Sequence, residues 1–226
     1  MITISNLSKK YGSNIILKNI NITFKEGIVY GVIGKNGAGK TTFFNCIAAL
    51  EDYQGKITTE KGCLKNKLGF LPTENFFFNK MTGREYIKFM TLARDKKVTN
   101  IERKNIFNLP LDQYVSTYSS GMKKKLAFSA IIMQENDYYI FDEPFNGIDI
   151  ESNMILFEII AHLKKQNKCI ILSSHIFSTL KEGCDIIHII SNGNISSPIY
   201  KDEFSLIELA YKKDTIGRKI EDFFDL

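Results

Sequence analysis

Apolar and polar residues alternate at the start of the chain. Ile2 and Ile4 alternate with Thr3 and Ser5, and Ile20, Ile22 and Phe24 alternate with Asn21 and Thr23. A period of two marks a strand with one buried face, so these segments predict an antiparallel β entry region. The run from Ile28 to Ile33 is apolar apart from Gly31, which predicts a strand covered on both faces. It ends in a glycine-rich turn, and a helix is expected next through Phe43, Phe44, Ile47, Ala48 and Leu50. Further strands are expected at Lys56 to Thr59, Leu68 to Leu71, Tyr138 to Phe141, Cys169 to Ser173 and Ile186 to Ile190, with helices between several of them. That alternation builds an α/β sheet that is parallel at its centre.

From about Asn75 to Asn136 helical spacing replaces the alternation. Thr82, followed three residues later by Glu85, forms a capping-box pattern ahead of an apolar face at Tyr86, Phe89, Met90 and Ala93. A second helix carries Met122, Leu126, Ser129 and Met133 on one stripe. We therefore expect one domain over 1–226: an α/β lobe from 1–74 and 137–226, with a helical subdomain, 75–136, inserted. No repeat and no Gly/Ser-rich or Pro-rich linker interrupts it. Asp202 to Lys213 is expected to form a short amphipathic helix, followed by a charged, frayed end.

A length of 226 residues suits one large domain or two small lobes sharing a core. With 44% hydrophobic and 24% charged residues, disordered and fibrous classes drop out. The net charge of +5 suits nucleic acid, an anionic membrane face or a phosphate ligand, and selects none of them. The longest apolar strings are strand-sized, well short of the roughly 20 residues that cross a bilayer, and the N-terminus reads as strand rather than export signal. A cytoplasmic protein is expected. Cys46, Cys63, Cys169 and Cys184 show no CxxC spacing, which fits reduced thiols. Cys184 and His188, four residues apart, read as a core pair.

Gly34-Lys35-Asn36-Gly37-Ala38-Gly39-Lys40-Thr41 matches GxxxxGK[ST] between a buried strand and a helix, the context this phosphate-binding (Walker A) pattern requires. Glycines let successive N–H groups converge with the helix N-terminus on phosphate oxygens. The candidate nucleotide-binding set is Gly34, Asn36, Gly37, Ala38, Gly39, Lys40, Thr41 and the following Thr42. Lys40 supplies a point charge for the β and γ phosphates, and the Thr41 hydroxyl is placed to ligate Mg²⁺. A second element, Tyr138 to Phe141, ends in Asp142 and Glu143. Asp142 is expected to hold Mg²⁺, and Glu143 to orient and deprotonate the attacking water.

Tyr118-Ser119-Ser120-Gly121-Met122-Lys123 lies between these elements and heads a helix. With it the chain resembles the nucleotide-binding subunits of ABC transporters over nearly its whole length, with the motifs in family order. These are Tyr11, the phosphate loop, the signature at Ser119 to Met122, Asp142-Glu143, the D-loop Asn146-Gly147-Ile148-Asp149, and the switch histidine His175. The resemblance implies a P-loop ATPase fold, with ATP and Mg²⁺ as ligands. It implies that Tyr11 stacks on adenine and that Ser119, Ser120, Gly121 and Met122 bind the γ-phosphate of ATP held by a partner subunit. It places Asp149 at the dimer contact and His175 beside the γ-phosphate, with Lys40, Glu143 and His175 as the catalytic set. It implies a second ABC ATPase subunit, identical or different, and an integral membrane permease docking near Phe76 to Glu85. The chain is then peripheral at the inner face of the cell membrane, and no nucleic acid is expected.

Departures from the family pattern qualify this. Ser120 takes the first of two usual glycine positions and Met122 the usual glutamine position. After Leu68-Gly69-Phe70-Leu71-Pro72, where the family places a metal-touching glutamine, the chain has Thr73 and then Glu74; Thr73 is carried as a third metal candidate. Phe76-Phe77-Phe78 is either core of the helical subdomain or a docking surface. Lys123, Lys124 and Lys125 are expected to form a solvated helix face. The Tyr118-led signature resembles extrusion systems more than importers. Two other readings are a soluble ABC ATPase acting on ribosomes or DNA, disfavoured by a single cassette without heptads, and a weakly hydrolysing nucleotide-binding module.

Overall fold

Gly12 and Ser13 make a two-residue turn that folds strand β1 (Ile2–Tyr11) back onto β2 (Asn14–Phe24), with Tyr11 opposite Asn14. Gly12 has φ +57°, the left-handed region such tight turns require. The computed structural model describes residues 1–212. The hairpin joins β4 (Gln54–Thr59) in a three-stranded antiparallel sheet of order β2-β1-β4. Both strands run longer than the alternation alone suggested.

The second sheet contains β3 (Val29–Ile33), β5 (Leu68–Leu71), β6 (Tyr138–Phe141), β7 (Cys169–Ser174), β8 (Ile186–Ser191), β9 (Asn194–Ile195) and β10 (Ile199–Tyr200). Its order is β10-β8-β3-β7-β6-β5, with β9 on β8. The five strands from β8 to β5 are parallel, and the short β9 and β10 are antiparallel at the edge. Helices are α1 (Lys40–Ile47), α2 (Gly83–Leu92), α3 (Ser120–Met133), α4 (Ile150–Lys165), α5 (Phe177–Gly183) and α6 (Phe204–Lys212). The expected C-terminal helix is thus present to Lys212, and Lys213 and the charged end lie outside the described residues.

Successive strand side chains fall into two separate cores, as the pleat demands. Tyr138, Ile140, Cys169, Ile171, Tyr30 and Val32 face the antiparallel sheet and α1. Tyr139, Phe141, Ile170, Leu172, Val29 and Ile33 face the core shared with α2, α3 and α4. These strands are buried on both faces, which is why their sequences read as unbroken apolar runs.

The middle of the chain differs from expectation. Residues 93–114, between α2 and the short 3-10 turn Val115–Thr117, form turns and irregular chain rather than helix. Asn100 and Asn108 adopt positive φ. The Asn105 amide donates to Leu109 O and its Oδ1 accepts from Leu109 N, a local closure that competes with helix. Arg84 on α2 ties this segment down through Asp112 and Glu102.

The capping box at Thr82 and Glu85 forms, but the buried face of α2 is rotated. Tyr86, Ile87 and Thr91 are buried, whereas Phe89 and Ala93 are exposed. Thr91 can turn inward because its hydroxyl donates to Ile87 O at 2.9 Å. On α3 the expected stripe broadens, since Ala127, Phe128, Ala130 and Ile131 are buried along with Leu126 and Met133.

The aromatic run splits. Phe77 packs on Tyr86, while Phe76 is 75% and Phe78 47% exposed. Phe43→Ala, which empties a fully buried position in contact with Phe24 and Phe44, is expected to cost about 3–5 kcal/mol in urea unfolding. Phe76→Ala in the same assay should change stability by no more than about 0.5 kcal/mol.

Candidate active site

Parallel strands bring their C-terminal ends to one edge of a sheet, and four chemical segments follow from that. The phosphate loop leaves β3, Thr73 follows β5, Asp142 and Glu143 follow β6, and His175 follows β7. Residues up to 141 positions apart become neighbours through strand register alone.

The loop's shape depends on two glycines. A Cβ on Gly34 would lie 2.5 Å from Ile190 O, and Gly39, at φ +101°, caps α1 without any side-chain acceptor. The first N–H groups of α1 are therefore left to an external anion. Asn36 and Gly37 are exposed, and the turn is closed by Ala38 N donating to Lys35 O. Lys40 is buried, its Nζ donating to Gly34 O at 2.7 Å and Lys35 O at 3.4 Å. It also lies 3.9 Å from Glu143 Oε1. An ammonium held on the loop's own carbonyls under exposed N–H groups fits a polyphosphate.

Asp142 is completely buried. Its Oδ2 accepts from the hydroxyls of Thr41 at 2.7 Å and Thr73 at 2.8 Å, and its Oδ1 accepts from Ser173 Oγ at 2.5 Å. A hydroxyl that donates keeps its lone pairs free, so Thr41, Thr73 and Asp142 form an oxygen cluster of the kind that Mg²⁺ takes. Thr73, and not Glu74, is the residue that β5 delivers here.

Glu143 has φ +53°, a conformation costing roughly 1–2 kcal/mol for a residue with a Cβ. Surrounding bonds hold it there. Its N–H donates to Ser173 Oγ at 2.9 Å, and its Oε2 takes His175 Nδ1 at 3.1 Å and Asn146 Nδ2 at 3.1 Å. The carboxylate, the imidazole and the Lys40 ammonium thus meet at one point.

The signature lies at the start of α3. Ser119 caps the helix, accepting from Met122 N at 3.2 Å, and Ser119 and Ser120 are exposed. Gly121 faces the D-loop, and a Cβ there would lie 2.8 Å from Gly147 O. Asp149 caps α4, accepting from Ser152 N, and pairs with Lys125 at 3.0 Å. The Ser152 amide, followed by Lys125, holds the Asp149 carboxyl well below its ordinary range. In this chain alone, Ser119 and Ser120 make no bond to the phosphate loop.

Tyr11 ends β1 at the hairpin, 45% exposed, with Lys9 Nζ 4.7 Å from its ring centre. That Lys9 ammonium is itself anchored by Glu51 at 2.8 Å. A cleft of about 930 Å³ is lined by the loop residues Gly34 to Ala38 together with Ser191, Gly193 and Tyr211.

The contacts of four residues, Ser173, Asn146, Lys124 and Lys125, escaped the sequence reading. Ser173 and Asn146 sit inside recognised segments, and for Ser173 a polar residue near the end of an apolar strand was the available signal. The lysine run is corrected: Lys124 donates to Glu143 O and Asn146 O, and Lys125 pairs with Asp149. Those partners are distant in sequence, so no local pattern announces them. Ser173→Ala strips both Asp142 Oδ1 and Glu143 N of a buried partner. It is expected to cost about 1–3 kcal/mol in chemical denaturation.

The ABC transporter family model matches residues 17–146. The ABC transporter ATP-binding protein NatA of Bacillus subtilis (strain 168) is 29% identical over 215 residues, covering 86% of this chain and 87% of NatA. A solved ATP binding subunit of an ABC transporter superposes with a TM-score of 0.82 at 24% identity, over 92% of this chain and 94% of that one. A dimeric, post-hydrolysis ATP-binding cassette bound to ADP and Pi gives a TM-score of 0.78 at 18% identity, over 89% and 99%. These two likenesses carry the fold, an α/β P-loop NTPase with a mixed, centrally parallel sheet and an antiparallel N-terminal sheet. Since the family match spans more than half of its residues, the chain belongs to the ABC transporter family, among its ATP-binding proteins.

Proposed function

We propose that this chain hydrolyses MgATP between two ABC ATPase subunits and so powers export through a separate membrane permease. The supporting observation is the convergence of Thr41 and Thr73 on Asp142, with Glu143, His175 and Lys40 beside them. Mg²⁺, when bound, neutralises phosphate charge and polarises the transferring group. Thr41 and Asp142 would hold it, with Thr73 offering a third oxygen in place of the family's glutamine.

The loop N–H groups from Gly34 to Thr42 and the Lys40 ammonium orient the triphosphate, and Tyr11 stacks on adenine. Glu143 aligns the attacking water and takes its proton, since phosphoryl transfer needs position and charge more than covalent help. His175 steadies the Glu143 carboxylate and meets the γ-phosphate. Ser119, Ser120, Gly121 and Met122, exposed at the N-terminus of α3, would bind the γ-phosphate of the nucleotide on the opposite subunit. Asp149 would stand at that contact.

Phe76, Phe78 and Phe89 form an exposed aromatic cluster, with centroid distances of 5.1 and 5.8 Å. Clusters of this kind seldom face water without a partner, and in our reading the permease covers this one, between Phe76 and Glu85. Among the described residues no helix is long and apolar enough to cross a membrane, so the proposed place is peripheral, at the inner face of the cell membrane. Outward transport rests on the resemblance of the Tyr118-led signature to extrusion systems.

Lys40→Ala is expected to abolish nucleotide binding in a fluorescent-nucleotide titration; wild-type affinity would remove the phosphate-loop assignment. Glu143→Gln should bind MgATP, lose turnover and elute as a dimer. Full turnover in that variant would instead favour the weakly hydrolysing module, in which Glu143 does no chemistry. The tagged chain should co-purify with a polytopic protein from detergent-solubilised membranes. Recovery only with ribosomes or nucleic acid would favour a soluble ATPase.

A further inference from the structure

Lys124 lies in the second turn of α3, outside every motif named above. Its Nζ is partly buried and donates to Glu143 O at 2.9 Å and Asn146 O at 2.8 Å. These carbonyls bracket the turn that aims the Glu143 side chain. Asn146 N also donates to Glu143 O, and Asn146 Nδ2 donates to Glu143 Oε2. Lys124 therefore holds both ends of a turn whose first residue has a strained, positive φ.

Long lysines on a surface helix normally keep their ammonium in water, because removing a charge from water costs free energy. Here the ammonium is directed inward onto carbonyls, and desolvation lowers its pKa against the raising influence of Glu143 and Asp142. A second contact, one turn earlier on the same helix, reinforces the first. Gly121 packs so closely on Gly147 that a Cβ would sit 2.8 Å from its carbonyl oxygen. Helix α3 is thus fastened to the 143–147 segment at two points, one of steric fit and one of charge.

We propose that Lys124 is a positioning residue that ties the signature helix to the Glu143 turn, so that the placement of Ser119 and the aim of the Glu143 carboxylate change together. This rests on the reading of Glu143 as the base. A γ-phosphate of the partner's nucleotide drawing on the N-terminus of α3 then acts on Glu143 of the same chain as that helix, through two backbone carbonyls.

The test compares Lys124→Met, Lys124→Arg and Glu143→Gln with the parent chain in steady-state ATP turnover and in amide hydrogen exchange over residues 142–149 of the nucleotide-free protein. Lys124→Met keeps the stem and removes the charge. It should lower kcat roughly tenfold or more, since displacements of about 1 Å can cost up to about 100-fold, while KM for ATP stays within about threefold. Exchange across 142–149 should quicken. Lys124→Arg, which still offers two donors to two carbonyls, should restore most of kcat and the slow exchange.

The proposal is overturned if Lys124→Met keeps kcat within about twofold of the parent with unchanged exchange. It is also overturned if kcat, KM and melting temperature all fall and Arg does not rescue them. Glu143→Gln separates the two readings. Full turnover there removes the base assignment, and the exchange comparison still decides whether Lys124 holds the turn.

Discussion

A carboxylate taken wholly out of water costs several kcal/mol unless its lone pairs are answered, and Asp142 is in that situation at the end of β6. Its answer comes from three hydroxyls on three segments: Thr41 at the head of α1, Thr73 after β5 and Ser173 in β7. Each can reach only if β3, β5, β6 and β7 run parallel and in register, so this one solvation requirement and the sheet topology presuppose each other. A slip of one residue in β7 would turn Ser173 to the opposite face of the sheet and leave Asp142 Oδ1 without its donor.

The same group of bonds explains how Glu143 keeps an unfavourable backbone. Its amide rests on Ser173, its carbonyl on Lys124 and its side chain on His175 and Asn146. Strained residues persist where neighbours over-determine them, and here the neighbours come from β7, α3 and the D-loop. The site is a shared product of several elements, which leaves it sensitive to movement of any one of them.

Much of this was legible in the sequence, for identifiable physical reasons. Strands buried on both faces had to be apolar runs, which marked β3, β6 and β7 directly. The phosphate loop was visible because Gly34 and Gly39 are demanded by a close carbonyl and a left-handed turn. What stayed hidden depended on tertiary distance. Lys124 read as a solvent-facing lysine because its carbonyl partners lie 19 and 22 residues away. The face of α2 was misjudged because Thr91 satisfies its own hydroxyl within the helix and so behaves as a core residue. The segment 93–114 was expected to be helical, although Asn100, Asn105, Asn108 and Pro110 supplied turn chemistry throughout it. Thr73 was the reverse case. Its sequence position raised doubt between two neighbouring residues, and strand register decided for Thr73 over Glu74.

The most direct test of this account is a crystal structure of the chain soaked or grown with a non-hydrolysable ATP analogue and Mn²⁺, whose anomalous signal locates the metal independently of the nucleotide. The account predicts phosphates on the Gly34 to Thr41 loop and a metal peak within ligating distance of Thr41, with Asp142 facing it and the Thr73 hydroxyl turned toward it. Phosphates bound away from the Gly34 to Thr41 loop, or a metal remote from Asp142, would contradict it.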